Sequence, residues 1–442
     1  MSSKGYWLRS GFFSIGSKLS TLFFGFGTFF ILVRSLPKAD WGIWALFLTA
    51  TSLIETSRNG LIQNALIKFL HSNPPELKDR IVTASWMLNS FFSVFIALFL
   101  FLAAEPVATV FDAPVLAAIL RWYIINSLLL IPISQFNYLQ QAHFSFSGIF
   151  WTTAVRQGAF FILIIILFLS GNQFELVQLV QYQILCTGLA LVVAYFSARQ
   201  FLNAKFILDW KMIRSIFNFG KYVMGTNIFS LAYKSTDQLL VGYFMNPTSV
   251  AYYNSAIRVS NLIEYPASSV AEIVYPKTTH EYELDKEKAS KYFYEMGVGL
   301  TMTLTIPVIF FTVLLADVIV YIIAGEAYAE SANIMRITIL FGLFTPFTRQ
   351  FGAAMDSSGR PHINFLILVI SVVLNVSLNV WGITSYGLMG AAYGTLASYI
   401  IMGVICYIIM YNIFRVSFKN VLFHMISFYQ KGFVLIKEKG MR

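Results

Sequence analysis

The side chains of this chain best able to do chemistry are charged groups set inside long apolar runs: Lys18, Glu55, Arg58, Arg156, Lys234, Asp237, Arg258, Glu264, Glu272, Arg336 and Arg349. An ionisable group near the centre of a bilayer costs at least ~2.5–3.5 kcal/mol on insertion scales, so it is kept where it meets water, a partner or a substrate. Arg58, Glu272 and Arg349 lie near the ends of their runs and are expected to snorkel to the interface. Lys234 and Asp237 are three apart on one helix face, a spacing that serves a structural pair as well as a binding site. Arg258 and Glu264 are six apart and point to different faces. Lys18, Arg156, Arg258 and Arg336 sit well inside their runs with no counter-charge near in sequence. The balance is cationic, which suits an anion, and the forked donors of Arg match phosphate oxygens. The carboxylates Glu55, Asp237 and Glu264 are the candidates for gating or for exchanging a proton or Na⁺. Gln140, Gln141, Asn227, Asn254, Asn261, Asn364, Asn375 and Asn379 either meet sugar hydroxyls or bond helix to helix.

The elements that must position these groups are membrane-spanning helices. Apolar stretches recur near 10–33, 40–58, 81–103, 118–139, 148–169, 174–197, 217–243, 249–275, 293–315, 330–350, 362–381 and 388–412, each about the ~20 residues that a hydrocarbon core demands. Composition agrees: 57% hydrophobic, 12% charged and a mean hydropathy of +0.68. The expected fold is an all-α polytopic membrane protein of about twelve transmembrane helices. No remaining segment reaches the ~50 residues that a soluble catalytic domain needs. The net charge of +10 reflects Lys and Arg in cytoplasmic loops and does not point to nucleic acid. Cys186 and Cys406 fall inside apolar runs and read as small buried hydrophobes. The run 11–33 contains Lys18 and is too long for a signal-peptide core, so it is read as the first span.

Loop charge alternates along the chain. Lys68, Lys78 and Arg80, then Arg199, Lys205, Lys211, Arg214 and Lys221, then Lys277, Lys286, Lys288 and Lys291, mark one side. The loops 105–115, 170–175, 244–250 and 382–388 carry no base, and 316–329 is acidic; Arg34 and Lys38 break the pattern. Both termini are therefore expected in the cytoplasm of a cytoplasmic-membrane protein. The halves also echo each other. Leu36-Pro37-Lys38-Ala39-Asp40-Trp41-Gly42-Ile43-Trp44 leads to Leu53-Ile54-Glu55, and Met245-Asn246-Pro247-Thr248-Ser249-Val250-Ala251-Tyr252-Tyr253 leads to Leu262-Ile263-Glu264. An even number of spans per copy makes this a parallel repeat, as in transporters that rock one half against the other. The expected organisation is a six-helix lobe over 1–198, a linker over 199–216, a second six-helix lobe over 217–413, and a basic amphipathic tail over 414–442 on the anionic inner leaflet.

In these motifs the chain resembles the Wzx-type oligosaccharide-lipid flippases of the multidrug/oligosaccharidyl-lipid/polysaccharide (MOP) exporter superfamily. The likeness runs over about residues 5–412. It is carried by the Arg34–Trp44 segment, Ala65-Leu66-Ile67-Lys68-Phe69, Phe219-Gly220-Lys221-Tyr222, Thr236-Asp237-Gln238-Leu239-Leu240-Val241-Gly242, Ala251-Tyr252-Tyr253-Asn254-Ser255-Ala256, Tyr275-Pro276, Gly325-Glu326-Ala327-Tyr328 and Ser358-Gly359-Arg360-Pro361. The resemblance implies two lobes around a cationic cavity and a transporter without catalytic residues. The implied substrate is a polyprenyl-pyrophosphate-linked oligosaccharide, moved to the outer leaflet for O-antigen, capsule or exopolysaccharide assembly. By residue type and depth, Lys18, Arg156, Lys234, Arg258 and Arg336 are the expected pyrophosphate and sugar contacts. Membrane lipids, a polysaccharide polymerase and glycosyltransferases are the implied partners. No cofactor is implied beyond H⁺ or Na⁺. A multidrug antiporter of the same superfamily is the nearer alternative, but cationic drugs call for unpaired carboxylates. A membrane glycosyltransferase or polymerase is the other; it calls for an acidic metal motif or a large outer loop, which the sequence does not carry.

Overall fold

A computed structural model describes residues 3–202, 205–271 and 286–440. Glu272, Tyr275-Pro276 and Lys277 lie outside the described residues. Those described are helices and short turns, with no strand among them. The first helices are α1 (Ser3–Ser35), α2 (Lys38–Ser72), α3 (Lys78–Val110), α4 (Pro114–Ala142), α5 (Phe146–Leu169), α6 (Leu176–Ala198) and α7 (Trp210–Phe244). Then follow α8 (Pro247–Ser260), α9 (264–271), α10 (Lys286–Leu314), α11 (Ala316–Ala324), α12 (Glu330–Thr338), α13 (Thr345–Ser357), α14 (Pro361–Phe414) and α15 (Phe418–Gly440). Seven of the helices are long and apolar enough to cross a membrane: α1, α3, α4, α5, α6, α10 and α14. The protein is an all-α, multi-pass membrane protein. The helices α2, α7 and α8, which hold Glu55, Arg58, Lys234, Asp237 and Arg258, are not among the seven.

The chain divides into two compact units, 1–232 with 246–251, and 233–245 with 252–442, so the boundary falls inside α7. In the first unit the aromatic cluster of the repeated turn is core: Trp41 and Trp44 are fully buried, Trp41 against Phe29 and Trp44 stacked on Phe47. α7 lies close enough to α2 that a Cβ on Gly220 would fall 1.8 Å from the Leu61 carbonyl oxygen, so only glycine fits. Asp209 caps the start of α7 by accepting from the backbone N–H groups of Lys211 and Met212 at 2.9 and 3.2 Å. The Met212 N–H bond, together with Arg80, holds the Asp209 carboxyl below its usual range.

In the second unit two helices are broken by 3₁₀ turns. One turn, Asn261–Ile263, separates α8 from α9; the other, Ile339–Leu343, separates α12 from α13. The turns meet where Ile263 covers Gly342, whose built Cβ would lie 2.6 Å from the Ile263 Cδ1. α14 doubles back at Gly387, whose φ of 61° and ψ of −141° suit a residue without Cβ. Its two limbs pack as an antiparallel hairpin. Gly382 faces Gly390 backbone to backbone, and Asn379 and Asn375 bond Thr395 and Ser398 at 3.2 and 3.0 Å.

α15 is fastened to α10. Buried Glu295 accepts from the Ser417 backbone N–H at 2.6 Å and the Asn420 amide at 2.9 Å, and Tyr429 donates to the Thr303 carbonyl at 2.9 Å. The rising order of these pairs sets α15 parallel to α10. Of the tail expected over 414–442, the part up to Tyr429 is thus docked on a helix of membrane-spanning length.

Candidate functional site

In the first unit Glu55, one turn before Arg58 on α2, is the centre of a charged cluster. Its Oε1 accepts from the Tyr123 hydroxyl of α4 at 3.1 Å, and its Oε2 lies 4.0 Å from Arg156 of α5. Arg58 does not snorkel as expected. It is 3% exposed, because α4 covers it; its Nη1 reaches the Ser127 carbonyl at 3.4 Å, while its Nε has no hydrogen-bond partner. Next to it Tyr138 donates to Asn59 at 2.5 Å. One guanidinium, Arg156, therefore attends the carboxylate while Arg58 bonds the α4 backbone, and Arg156 and Glu55 keep 30% of their side-chain surface.

The second unit holds the same kind of cluster around Glu264, the first residue after the 261–263 turn. Its Oε2 pairs with Lys234 of α7 and, at 2.8 Å, with Arg349 of α13; its Oε1 receives the Tyr399 hydroxyl of α14 at 3.5 Å. Tyr399 is held by stacking on Phe341 of the 339–343 turn and by Tyr233. The breaks in α8–α9 and α12–α13 thus deliver Glu264 and Arg349 to one place, as discontinuous helices do at transporter binding sites. Lys234 turns to Glu264, not to Asp237 three residues on. Arg349, expected to snorkel, is ion-paired here.

Asp237 sits instead in a network of uncharged donors and is 3% exposed. Its Oδ2 accepts from Tyr253 at 2.5 Å and from Thr395 at 3.3 Å, and its Oδ1 accepts from the Gln238 backbone N–H at 2.8 Å. Asn379 donates to Thr395, and the buried Asn375 Oδ1 has no partner. The oxygens of Asp237, Thr395 and Asn379 are hard donors of the type that holds a proton or a small hard cation.

Of the remaining expected site residues, Lys18 is exposed on α1 and Arg258 is half-buried on α8. Arg336 pairs with Asp317, which ties it to the acidic segment 316–329, and donates to the Asn333 Oδ1 at 2.7 Å. Several amides bond helix to helix or turn to helix: Gln141 with Gln63, Asn254 with Gln238, and Asn364 with Asp356. Tyr123, Tyr253, Tyr399 and Thr395 were not singled out from the sequence. The Leu-Ile-Glu repeat was the available signal, since its glutamates anchor both clusters.

The fold is that of the MOP superfamily transporters. It matches an inward-facing multidrug resistance MATE family transporter with a TM-score of 0.77 at 15% identity, over 90% of this chain and 96% of that one. It matches the lipid II flippase MurJ in an inward closed conformation with a TM-score of 0.76 at 14% identity, over 96% and 92%. The chain belongs to the polysaccharide biosynthesis protein family, whose profile matches residues 31–333. Among its relatives, an uncharacterized membrane protein of Methanocaldococcus jannaschii is 24% identical over 84% of this chain and 77% of its own length. The lipopolysaccharide biosynthesis protein WzxC of Escherichia coli is 19% identical over 86% and 76%. A probable low-salt glycan biosynthesis flippase of Haloferax volcanii is 26% identical, and the match spans 43% of this chain and 40% of that relative. The family resemblance read from the motifs is borne out, and the comparisons that name an activity name flippases and transporters.

Proposed function

We propose that this chain flips a polyprenyl-pyrophosphate-linked oligosaccharide from the cytoplasmic to the outer leaflet of the cytoplasmic membrane, by alternating access, for surface polysaccharide assembly. The observation that carries this reading is the base excess of the two clusters: Lys234 and Arg349 share Glu264, and Arg156 sits beside Glu55 with Arg58 buried one turn along. Such a cluster attracts an anion, and arginine forks recognise phosphate oxygens. The named relatives include a glycan biosynthesis flippase and a lipopolysaccharide biosynthesis protein. The MATE likeness is one of fold, and a drug cation would be repelled where bases prevail. The basic loops favour cytoplasmic termini. A polymerase and glycosyltransferases acting on the same lipid intermediate are the natural partners.

Two negative charges leaving through an inside-negative potential of roughly 150 mV release about 7 kcal/mol, enough to bias outward transport. Asp237 is the coupling group in this reading, exchanging a proton or Na⁺, because its partners are neutral oxygens and Glu264 is already held by two bases.

The test is leaflet exchange of a fluorescent polyprenyl-pyrophosphate oligosaccharide in proteoliposomes, beside efflux of a cationic dye. Exchange by wild type that falls about tenfold or more in Arg349→Ala, the scale of one lost charge-assisted contact, supports the flippase. Dye efflux without lipid exchange would move the protein to drug export.

A further inference from the structure

The two copies of Leu-Ile-Glu end in glutamates that keep the same company, each within its own unit. Glu55 has a tyrosine hydroxyl on Oε1, a base on Oε2 and a second base, Arg58, one turn along. Glu264 has a tyrosine hydroxyl on Oε1 and two bases on Oε2. The carboxylate, its tyrosine and a paired base are duplicated, and at Glu264 two bases share one carboxylate, which leaves that cluster a negative charge short. Beside Glu55, the Nε of Arg58 is buried and has no hydrogen-bond partner. The bases are also within reach of a ligand. Lys234 and Arg349 keep 35% and 38% of their side-chain surface, whereas Glu264 beneath them keeps 11%.

We infer that Glu55 and Glu264 are built-in stand-ins for a substrate phosphoryl group. In the empty transporter Glu264 occupies Lys234 and Arg349, Glu55 lies beside Arg156, and a phosphoryl group that arrives there displaces each carboxylate. This rests on the flippase reading above and deepens it. A carboxylate and one edge of a phosphoryl group present the same pair of oxygens to an arginine fork. The stand-in avoids leaving two naked cations in the membrane when no substrate is bound. It also returns to compete once the phosphoryl group is in place, which keeps binding weak enough for release, a condition of any transport pathway. A neutral lipid cannot make the exchange.

The experiment is calorimetric titration of the full-length protein in detergent with inorganic pyrophosphate, paired with leaflet exchange of the polyprenyl-pyrophosphate oligosaccharide. Glu264→Gln and Glu55→Gln remove the competitor, and pyrophosphate should bind about tenfold tighter, the size of one charged hydrogen-bonding contact. Exchange should slow in the same variants, because the phosphoryl group is no longer pushed off. Tyr123→Phe and Tyr399→Phe keep every charge and only free Oε1, so they carry the test if the Gln variants fail to fold. About threefold tighter binding is expected of them, one modest hydrogen bond. Unchanged or weaker pyrophosphate binding in the Phe variants, with wild type still flipping, would overturn the stand-in and leave the flippase reading intact. No pyrophosphate binding and no exchange by wild type would overturn both.

Discussion

Arg58 shows how a single side chain separates stability from use. It is buried against α4, its Nε is unpaired, and its Nη1 contact is long. A buried charge with incomplete partners costs stability, and apolar replacements of such groups are often neutral or stabilising by about 1–4 kcal/mol. Arg58→Met should therefore match or exceed wild type in thermal unfolding in detergent while flipping more slowly. A lower melting temperature with unchanged flipping would mark Arg58 as structural. Asp237 has the opposite character, being satisfied by Tyr253, Thr395 and the Gln238 N–H. Asp237→Asn should leave pyrophosphate binding intact. It should reduce flipping by about tenfold, the size of a typical coupling free energy, and abolish its dependence on pH or Na⁺. The sequence disclosed that these helices carry charge at membrane depth, but not which charges meet. The meeting of Lys234, Glu264 and Arg349 is not legible there, because three separate helices bring them together.

At the scale of elements, the breaks matter more than the spans. The apolar runs announce α1, α3 to α6, α10 and α14, since length and hydropathy are properties of the chain alone. The 3₁₀ turns at 261–263 and 339–343 lie inside the apolar runs 249–275 and 330–350, and the prolines that follow them, Pro266 in α9 and Pro346 in α13, are the signal in the sequence; packing of Ile263 on Gly342 accompanies them. They set Glu264 and Arg349 at the starts of new helical segments. Gly387, in the base-free loop 382–388, is a single-residue reversal between two helical limbs. Gly387→Ala should cost about 1–3 kcal/mol, the strain of a side chain at such a φ and ψ, read as a lower melting temperature. Gly390→Val should do more damage, because a Cβ there would fall 1.8 Å from the Gly382 carbonyl oxygen. Loss of the hairpin would also separate Asn379 from Thr395 and so expose Asp237.

For the whole molecule, family membership and fold agree with the transporter class read from the motifs. An anionic cargo makes transport voltage-sensitive. Proteoliposomes given an outward-driving potential of roughly 150 mV gain about 7 kcal/mol for two charges, so net movement should reverse when the potential is reversed. Direction independent of voltage would mean that the protein's own charges move with the cargo. The most direct measurement compares two fluorescent lipids bearing the same oligosaccharide, one through pyrophosphate and one through an uncharged linker, in the same proteoliposomes. The account predicts that the pyrophosphate lipid crosses at least about tenfold faster, the worth of one charge-assisted contact, and that Arg156→Ala with Arg349→Ala erases the difference. Equal rates for the two lipids in wild type would contradict it.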